Sequence, residues 1–237
     1  MSTICIDIGN TRLKWCAADS GSVESAMHDG EPAALLRELD ALRDRPVRIS
    51  QNHGAEAEPA LRAAAETAGA RDIVFAHTQT ARDGLRIAYD DPARLGVDRF
   101  LAMLALWRER RAGFLVAGAG TALTLDIVDD SGRHVGGYIA PGLHSMRAAV
   151  LDRTRFPHAF DAPAIDEPGT STEGCVAEAA LAATLGLLER GQRRFGLPGC
   201  IGGGDAVTLI AHLAPEHWSL REHLVLDALA QDVGPLA

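Results

Sequence analysis

The chain has 237 residues, of which 47% are hydrophobic and 23% charged, and its formal net charge is −9. This composition is typical of a globular protein of one or two domains, and the negative charge argues against a nucleic-acid partner, which usually needs a basic face. The sequence shows neither an apolar stretch of the roughly 20 residues that span a bilayer nor the pattern of a signal peptide. Its four scattered cysteines lack metal-ligand spacing, so we expect reduced thiols in a cytoplasmic protein without a membrane partner.

The first half of the chain predicts an α/β arrangement. Apolar residues alternate over 3–8, the chain is again extended over 12–17, and the Gly9-Asn10 pair between these strands is typical of a hairpin turn. Helical spacing, proline at helix starts and apolar runs indicate the elements that follow. They are a helix over 33–43, a strand over 47–50, a helix over 59–68, a strand over 72–76, a polar loop over 77–96 and a helix over 98–111.

The same pattern begins again at Phe114. Strands are predicted over 114–117, 122–128 and 134–140, then a helix that ends near 151, a long helix over 172–194 and a strand over 198–201. A strand, a glycine-containing turn and a second strand thus occur near Gly9 and again near Gly120, half a chain later. We interpret this as a duplicated α/β domain, over 1–112 and 113–237, whose turns face each other across a nucleotide cleft. Chance recurrence of two hairpins is the alternative.

The first turn has the chemistry of a phosphate-binding site. Asp7 lies in an apolar strand, where an ionised carboxylate is costly unless it is paired or faces a metal ion. Backbone N–H groups of Gly9 and Asn10, with the Thr11 hydroxyl, suit a phosphate, and a neighbouring carboxylate suits Mg²⁺. There is no GxxxxGK[ST] loop and no complete dinucleotide fingerprint. The turn therefore predicts an ATP-dependent kinase for a small molecule; an exposed aspartate at a strand end is the alternative.

Two further segments carry candidate binding groups. Asp98 and Arg99 open the amphipathic helix, where they suit an acceptor-orienting carboxylate and a guanidinium that binds an anionic substrate, or simply a helix cap and a surface charge. The glycines Gly202, Gly203 and Gly204 follow a strand and permit close approach of backbone to a flat ligand such as adenine. A flexible entry to a helix is the alternative there.

In their joint order these segments resemble the type III pantothenate kinases of the acetate/sugar kinase–Hsp70–actin superfamily. Residues 6–11 with Lys14 resemble the N-terminal phosphate motif of that family, and Gly120-Thr121-Ala122 with Asp126 resembles the second. The other matching segments are Tyr89 with Pro92 and Gly96-Val97-Asp98-Arg99, the Gly-Gly-x-Ile-x-Pro-Gly block over 136–142, residues 169–172 and Gly202-Gly203.

The resemblance implies two duplicated actin-like, ribonuclease H-like domains and transfer of the ATP γ-phosphoryl group to pantothenate, the first step of coenzyme A biosynthesis. It implies that Asp98 is the catalytic residue, which orients or deprotonates the acceptor hydroxyl, and that Asp7 holds Mg²⁺. It also implies a homodimer with the acceptor site at the interface. ATP would contact Asp7, Gly9, Asn10, Thr11, Lys14, Gly120, Thr121, Gly202 and Gly203, and pantothenate would contact Tyr89, Gly96, Arg99 and, from the neighbouring subunit, Thr172.

Two departures from the family pattern affect these implications. Gly118 stands where the family has an aspartate that helps to hold a monovalent cation, so a K⁺ or NH₄⁺ site would lack that ligand. Glu178-Ala179 stands where a Ser-Gly pair is expected, and we expect this replacement to alter only the packing of the long helix over 172–194. A nucleotide-binding regulatory protein of the same fold, without kinase turnover, is the alternative function, although retention of Asp7 and Asp98 speaks against it.

Overall fold

The computed structural model describes residues 2–153, 164 and 166–232, which form two compact units. The first unit contains the described residues up to Arg110 together with those from His223 onward, and the second contains Arg111–Glu222. Each unit is built around one five-stranded mixed sheet. No helix within the described ranges is both long and apolar enough to cross a membrane.

The sheet of the first unit has the order β3-β2-β1-β4-β5. Strands β1, β2 and β3 form an antiparallel meander, and β4 and β5 extend the sheet in parallel from β1. The strands are β1 (Ile4–Ile8), β2 (Arg12–Ala17), β3 (Glu24–Met27), β4 (Pro46–Gln51) and β5 (Arg71–Phe75); a small separate hairpin joins β6 (Ala81–Arg82) to β7 (Leu85–Arg86).

The second sheet repeats this topology. Its order is β10-β9-β8-β11-β12, again an antiparallel meander of three strands followed by two parallel strands. The strands are β8 (Phe114–Ala119), β9 (Ala122–Val128), β10 (His134–Pro141), β11 (Gly199–Gly202) and β12 (Trp218–Leu220). Identical strand order in the two units confirms the duplication that the repeated hairpins predict.

Seven α-helices lie in the described parts of the chain. They are α1 (Pro32–Arg37), α2 (Glu58–Thr67), α3 (Val97–Arg110), α4 (Leu143–Leu151), α5 (Thr172–Phe195), α6 (Ala206–Ile210) and α7 (Leu224–Gln231). In each unit buried aliphatic side chains of strands and helices pack into a hydrophobic core cluster. Because aromatic residues make up only 5% of the chain, leucine, isoleucine and alanine supply most of this core.

The C-terminal helix belongs to the first unit, whereas the repeated pattern predicts that everything after residue 112 lies in the second domain. Helix α7 packs on α3 and β1 and buries Leu226. At its end, the Asp232 carboxylate accepts hydrogen bonds from Arg82 at 2.7 Å and from Arg108 at 2.8 Å. Both guanidinium groups are largely shielded from solvent, so these charge-assisted bonds and the apolar contacts hold the helix in place.

The first helix is shorter than predicted. The spacing of apolar residues predicts one helix over 33–43, but α1 ends at Arg37, and a 3-10 turn follows at Asp40–Leu42. The break keeps Leu36, Leu39 and Leu42 in the core, because residues three apart share one face when the backbone has about three residues per turn.

Candidate active site

Asp7 lies near the C-terminal end of β1, two residues before the turn residue Gly9. Its Cα is paired with Lys14 across the hairpin in β2 and with Ser50 in the parallel strand β4. Gly9 N–H donates to the Arg12 carbonyl at 3.0 Å and closes the turn, which leaves Asn10 and Thr11 exposed at the tip. The structure therefore brings Asp7, Lys14 and the turn residues together in one β-hairpin.

Burial makes the Asp7 carboxylate electrostatically unfavourable. Burial, and then the negative charge of Asp98, raise its pKa to about 6, and Lys14 and the Ser50 hydroxyl only partly offset this. Among the described residues, the buried Asp7 Oδ1 has no hydrogen-bond partner. A buried carboxylate oxygen without a partner costs free energy, and such groups call for a functional explanation, such as an ion or a water that the site binds.

Asp98 lies in the first turn of α3. Its Oδ1 accepts a hydrogen bond from the Arg99 backbone N–H at 2.8 Å. Gly96 is tightly enclosed, because a Cβ there would lie 2.7 Å from Asp98 Oδ1 and 3.6 Å from Asn52 Oδ1. Glycine at this position therefore lets the chain turn into the helix beside the carboxylate, and Asn52 is a neighbour that no sequence motif indicated.

Arg99 and Tyr89 form the other part of the predicted acceptor segment. The Arg99 side chain is buried, with 8% of the residue exposed, and Arg99 Nη1 donates to the Tyr89 hydroxyl at 3.3 Å. Asp91, which accepts from Ala93 N–H, caps the 3-10 turn between them. A buried guanidinium costs desolvation, so its position next to the Tyr89 hydroxyl is consistent with a site that binds an anionic group.

The second hairpin, around Gly120 and Thr121, is supported by the start of α4. The Thr121 carbonyl accepts from Gly142 N–H at 3.0 Å and from the Ser145 hydroxyl at 2.7 Å. A Cβ at Gly142 would collide with the Gly120 carbonyl oxygen. This close approach is the physical reason for glycine after Pro141, while the role of Ser145 depends on a contact that the sequence pattern does not indicate.

Asp126, which the resemblance grouped with the second phosphate motif, is a buried member of the sheet. It is 1% exposed, and His134 Nε2 donates to its Oδ1 at 3.0 Å. The pair joins β9 to β10, so this carboxylate stabilises the strands behind the hairpin.

Thr124 lies close to Gly118, the position where the family pattern has an aspartate. Gly118 is paired with Thr124 across β8 and β9, and a Cβ at Gly118 would lie 2.9 Å from Thr124 Oγ1. Cβ atoms are essentially never found this close to another heavy atom, so the Thr124 hydroxyl would have to shift. The missing carboxylate thus cannot be restored without moving Thr124.

The glycine loop after β11 lies against the second hairpin. Gly203 has φ +107°, and a Cβ there would collide with the backbone of Ala119, the residue before the hairpin turn. Asp205 N–H donates to the Ala119 carbonyl at 3.1 Å. Gly202 and Gly203 therefore lie beside the end of β8, next to the second hairpin; their contact with a nucleotide stays a prediction.

Gly203→Ala tests this loop geometry. We expect the substitution to lower the free energy of unfolding by about 2–3 kcal/mol, because alanine is strained at positive φ and the neighbouring atoms are backbone. Gly204→Ala is the matched control: its Cβ would meet no described atom within 4 Å, so we expect a change below about 0.5 kcal/mol. Urea unfolding of both variants measures the difference, and equal stabilities would contradict the assigned geometry.

Thr172 is the exposed first residue of α5, directly after the N-cap residue Ser171, whose hydroxyl accepts from Gly174 N–H at 3.0 Å. Its predicted contact with the acceptor of a neighbouring subunit stays a prediction. No cluster of three or more His, Cys, Asp or Glu side chains suited to a metal ion occurs among the described residues. A metal ion at Asp7 would therefore need ligands from the substrate or water.

Comparison with known proteins identifies close relatives along nearly the whole chain. Residues 3–194 match the family model described as type III pantothenate kinase. A type III pantothenate kinase of Marinobacter nauticus is 37% identical over 95% of this chain and 96% of its own length. Two solved structures share the fold. A Baf family transcriptional activator of Campylobacter jejuni has TM-score 0.63 and 16% identity, with 95% of this chain and 94% of that chain covered. MreB 5 of Spiroplasma citri has TM-score 0.52 and 10% identity, again with 95% of this chain and 94% of that chain covered. Both units therefore have the actin-like fold.

Proposed function

We propose that Asp98 and Asp7 are the carboxylates on which the ATP-dependent phosphorylation of pantothenate depends in this chain, which belongs to the type III pantothenate kinase family. The product is 4'-phosphopantothenate, and the reaction is the first step of coenzyme A biosynthesis. The observation that carries this assignment is the buried Asp7 Oδ1, which has no hydrogen-bond partner among the described residues; the charge of Asp98 also helps to raise the pKa of Asp7. Phosphoryl transfer needs one group that orients the acceptor hydroxyl and one that positions the metal-bound phosphates.

Asp98 is the catalytic residue of this proposal. Its Oδ1 accepts the Arg99 N–H, which fixes the carboxylate at the start of α3, where it orients or deprotonates the pantothenate hydroxyl. Arg99 and Tyr89 bind the pantothenate carboxylate, for which a guanidinium is well suited. Gly96 lets the backbone pass close to the Asp98 carboxylate, and we assign it a backbone contact with pantothenate.

Asp7 fits the role of the Mg²⁺ ligand. Its partnerless buried oxygen and its raised pKa are both relieved when a cation faces it. Mg²⁺ is commonly held by only one or two carboxylates together with phosphate oxygens and water, which agrees with the absence of a larger acidic cluster among the described residues. When bound, the ion would neutralise charge on the ATP phosphates.

The remaining predicted residues bind the nucleotide. We assign the ATP phosphates to Gly9, Asn10, Thr11 and Lys14 of the first hairpin and to Gly120 and Thr121 of the second, and the adenosine to Gly202 and Gly203. The N–H groups of Gly9 and Gly120 are bonded to the carbonyls of Arg12 and Ala122, so these glycines would serve by letting the backbone approach the phosphates, and the Asn10 N–H at the exposed tip is the donor that we assign to a phosphate oxygen. The close approach of Gly203 to Ala119 supports a single nucleotide site for the second hairpin and the glycine loop.

The finer proposals concern the cation, the assembly and the compartment. We propose turnover that does not depend on K⁺ or NH₄⁺ held at position 118, because Gly118 offers no carboxylate and Thr124 occupies the adjacent space.

We also propose a homodimer in which Thr172 of one subunit contacts the acceptor of the other; its exposure at the start of α5 is compatible with this role. We propose the cytoplasm as the compartment, with which four cysteines outside any disulfide are compatible.

One assay tests the proposal. Purified protein with Mg²⁺-ATP and pantothenate is expected to form phosphopantothenate at the same rate with and without added K⁺ or NH₄⁺. Strict dependence on either cation would overturn the cation proposal and leave the kinase intact. Nucleotide binding without turnover under all conditions would instead favour a regulatory protein of the same fold.

A further inference from the structure

Two histidine side chains converge on the backbone of the first hairpin. His28, which follows β3, has its Nε2 at 2.9 Å from the Gly9 carbonyl oxygen, and His53, which follows β4, has its Nε2 at 3.1 Å from the same oxygen. The two rings are 5.7 Å apart and meet edge to face at 70°. Neither residue belongs to a motif of the sequence, and they come from different loops.

Local hydrogen bonds fix which ring atom donates. His28 Nδ1 accepts from the Gly30 backbone N–H at 3.3 Å, so in the neutral ring the proton is on Nε2, which donates to Gly9. The His28 backbone N–H also donates to the Thr11 carbonyl at 3.2 Å, and the residue is only 4% exposed. On the other side, His53 N–H donates to Gln51 Oε1 at 2.7 Å, which fixes the loop that presents the ring.

These bonds determine the direction of the next N–H group. The peptide unit between Gly9 and Asn10 is planar and trans, so the Gly9 C=O and the Asn10 N–H point in opposite directions. Both lone pairs of the Gly9 carbonyl have a donor, and the Gly9 N–H is bonded to the Arg12 carbonyl. The peptide unit cannot rotate without breaking these bonds, and the Asn10 N–H is held away from the histidines at the exposed tip.

We infer that His28 and His53 are positioning residues for ATP, which act by holding the Gly9–Asn10 peptide so that the Asn10 N–H is directed at a phosphate oxygen. The inference rests on the proposed function, in which this hairpin binds the ATP phosphates. A preorganised donor binds an anion better than a donor that must first be ordered, because the ordering cost is already met in the free protein. The effect should therefore appear in ATP binding and be absent from pantothenate binding.

Paired substitutions at His53 provide the test, because this ring lies in a loop and is only partly buried. His53→Leu removes the donor, and we expect the KM for Mg²⁺-ATP to rise about tenfold, because the Asn10 N–H, which donates to a charged phosphate, is then held less firmly. The KM for pantothenate should stay unchanged. His53→Gln keeps a side-chain N–H at a similar reach and should restore most of the ATP affinity.

The same pair of substitutions at His28, and the double variant His28→Leu/His53→Leu, complete the series. Because the two rings hold one carbonyl, the double variant should raise the KM for ATP more than either single variant. His77→Leu is the control: His77 is an exposed histidine of the same unit and should leave both KM values unchanged.

The outcomes separate this inference from the proposed function. If the wild-type protein forms phosphopantothenate but His53→Leu leaves the KM for ATP unchanged, or raises both KM values equally, the inference is wrong and the kinase assignment stands. If His53→Gln behaves like His53→Leu, the hydrogen bond is not the cause, and the inference is again wrong. A wild-type protein that binds Mg²⁺-ATP without turnover would contradict the kinase, and the binding affinities of the same variants would still test the histidines.

Discussion

Asp98→Asn is expected to lower kcat by about 10²–10⁴-fold, the range found when a general base is removed. Asparagine has the same shape and keeps the oxygen that accepts the Arg99 N–H at 2.8 Å, so the start of α3 should be undisturbed. What is lost is the ability to accept the proton of the acceptor hydroxyl. Steady-state kinetics with both substrates measures the effect, and size-exclusion chromatography should show an unchanged assembly.

A second signature accompanies the loss of turnover. The charge of Asp98 helps to raise the pKa of Asp7, so its removal should lower the pKa of Asp7 and shift any acid-side loss of Mg²⁺-ATP binding to lower pH. Asp91→Asn is the matched control, because Asp91 is an exposed aspartate that also caps a turn of this segment. A normal kcat for Asp98→Asn, or an equal loss for Asp91→Asn, would remove Asp98 from its role.

Asp7→Asn is expected to abolish most activity and to stabilise the protein at the same time. Loss of the metal-facing carboxylate should lower kcat/KM for Mg²⁺-ATP by at least about 10²-fold, because charge stabilisation by a metal ion is worth several kcal/mol. In the protein without ligand, however, the ionised and buried Asp7 carboxylate opposes folding, and asparagine removes that charge.

The pH dependence fixes the sign of the stability effect. The pKa of Asp7 is raised in the folded protein from 3.8 to about 6, so between these pH values the folded state binds more protons than the unfolded state. Stability therefore falls as the pH rises through this window, and above pH 6 the full cost of at most about 3 kcal/mol is present. We expect Asp7→Asn to unfold at higher urea concentration than the wild type at pH 8, with the difference vanishing near pH 4.

The control for this prediction is Asp19→Asn, at an exposed carboxylate of the same unit, which should give no gain in stability at pH 8. A wild-type protein more stable than Asp7→Asn at pH 8 in the absence of Mg²⁺ and ATP would contradict the cost assigned to the buried charge. The same buffers show whether kcat/KM for Mg²⁺-ATP falls below about pH 6, where Asp7 becomes protonated and loses its charge.

Regular elements with strong local signals were predictable, and those that depend on exposure or long-range packing were not. Strand β2 was predicted at its observed bounds because a turn and extended residues define it locally. The sequence does not predict strand β3, because its residues are mostly exposed and lack the apolar alternation that marks a half-buried strand. Helix α7 was not assigned to the first unit because its contacts with α3 and β1 join residues more than a hundred positions apart.

The sequence by itself determined the candidate residues of the site: a carboxylate before a Gly-Asn-Thr turn, an Asp-Arg pair at a helix start, and a second glycine turn half a chain later. These signals are local, since each consists of residues within a few positions of one another. Only the tertiary structure decided that the Asp7 oxygen is buried without a partner, that Thr124 crowds Gly118, and that two histidines hold the Gly9 carbonyl. The reason is physical: burial and hydrogen bonding between distant segments arise only when strands pair and helices pack, and no short pattern records them.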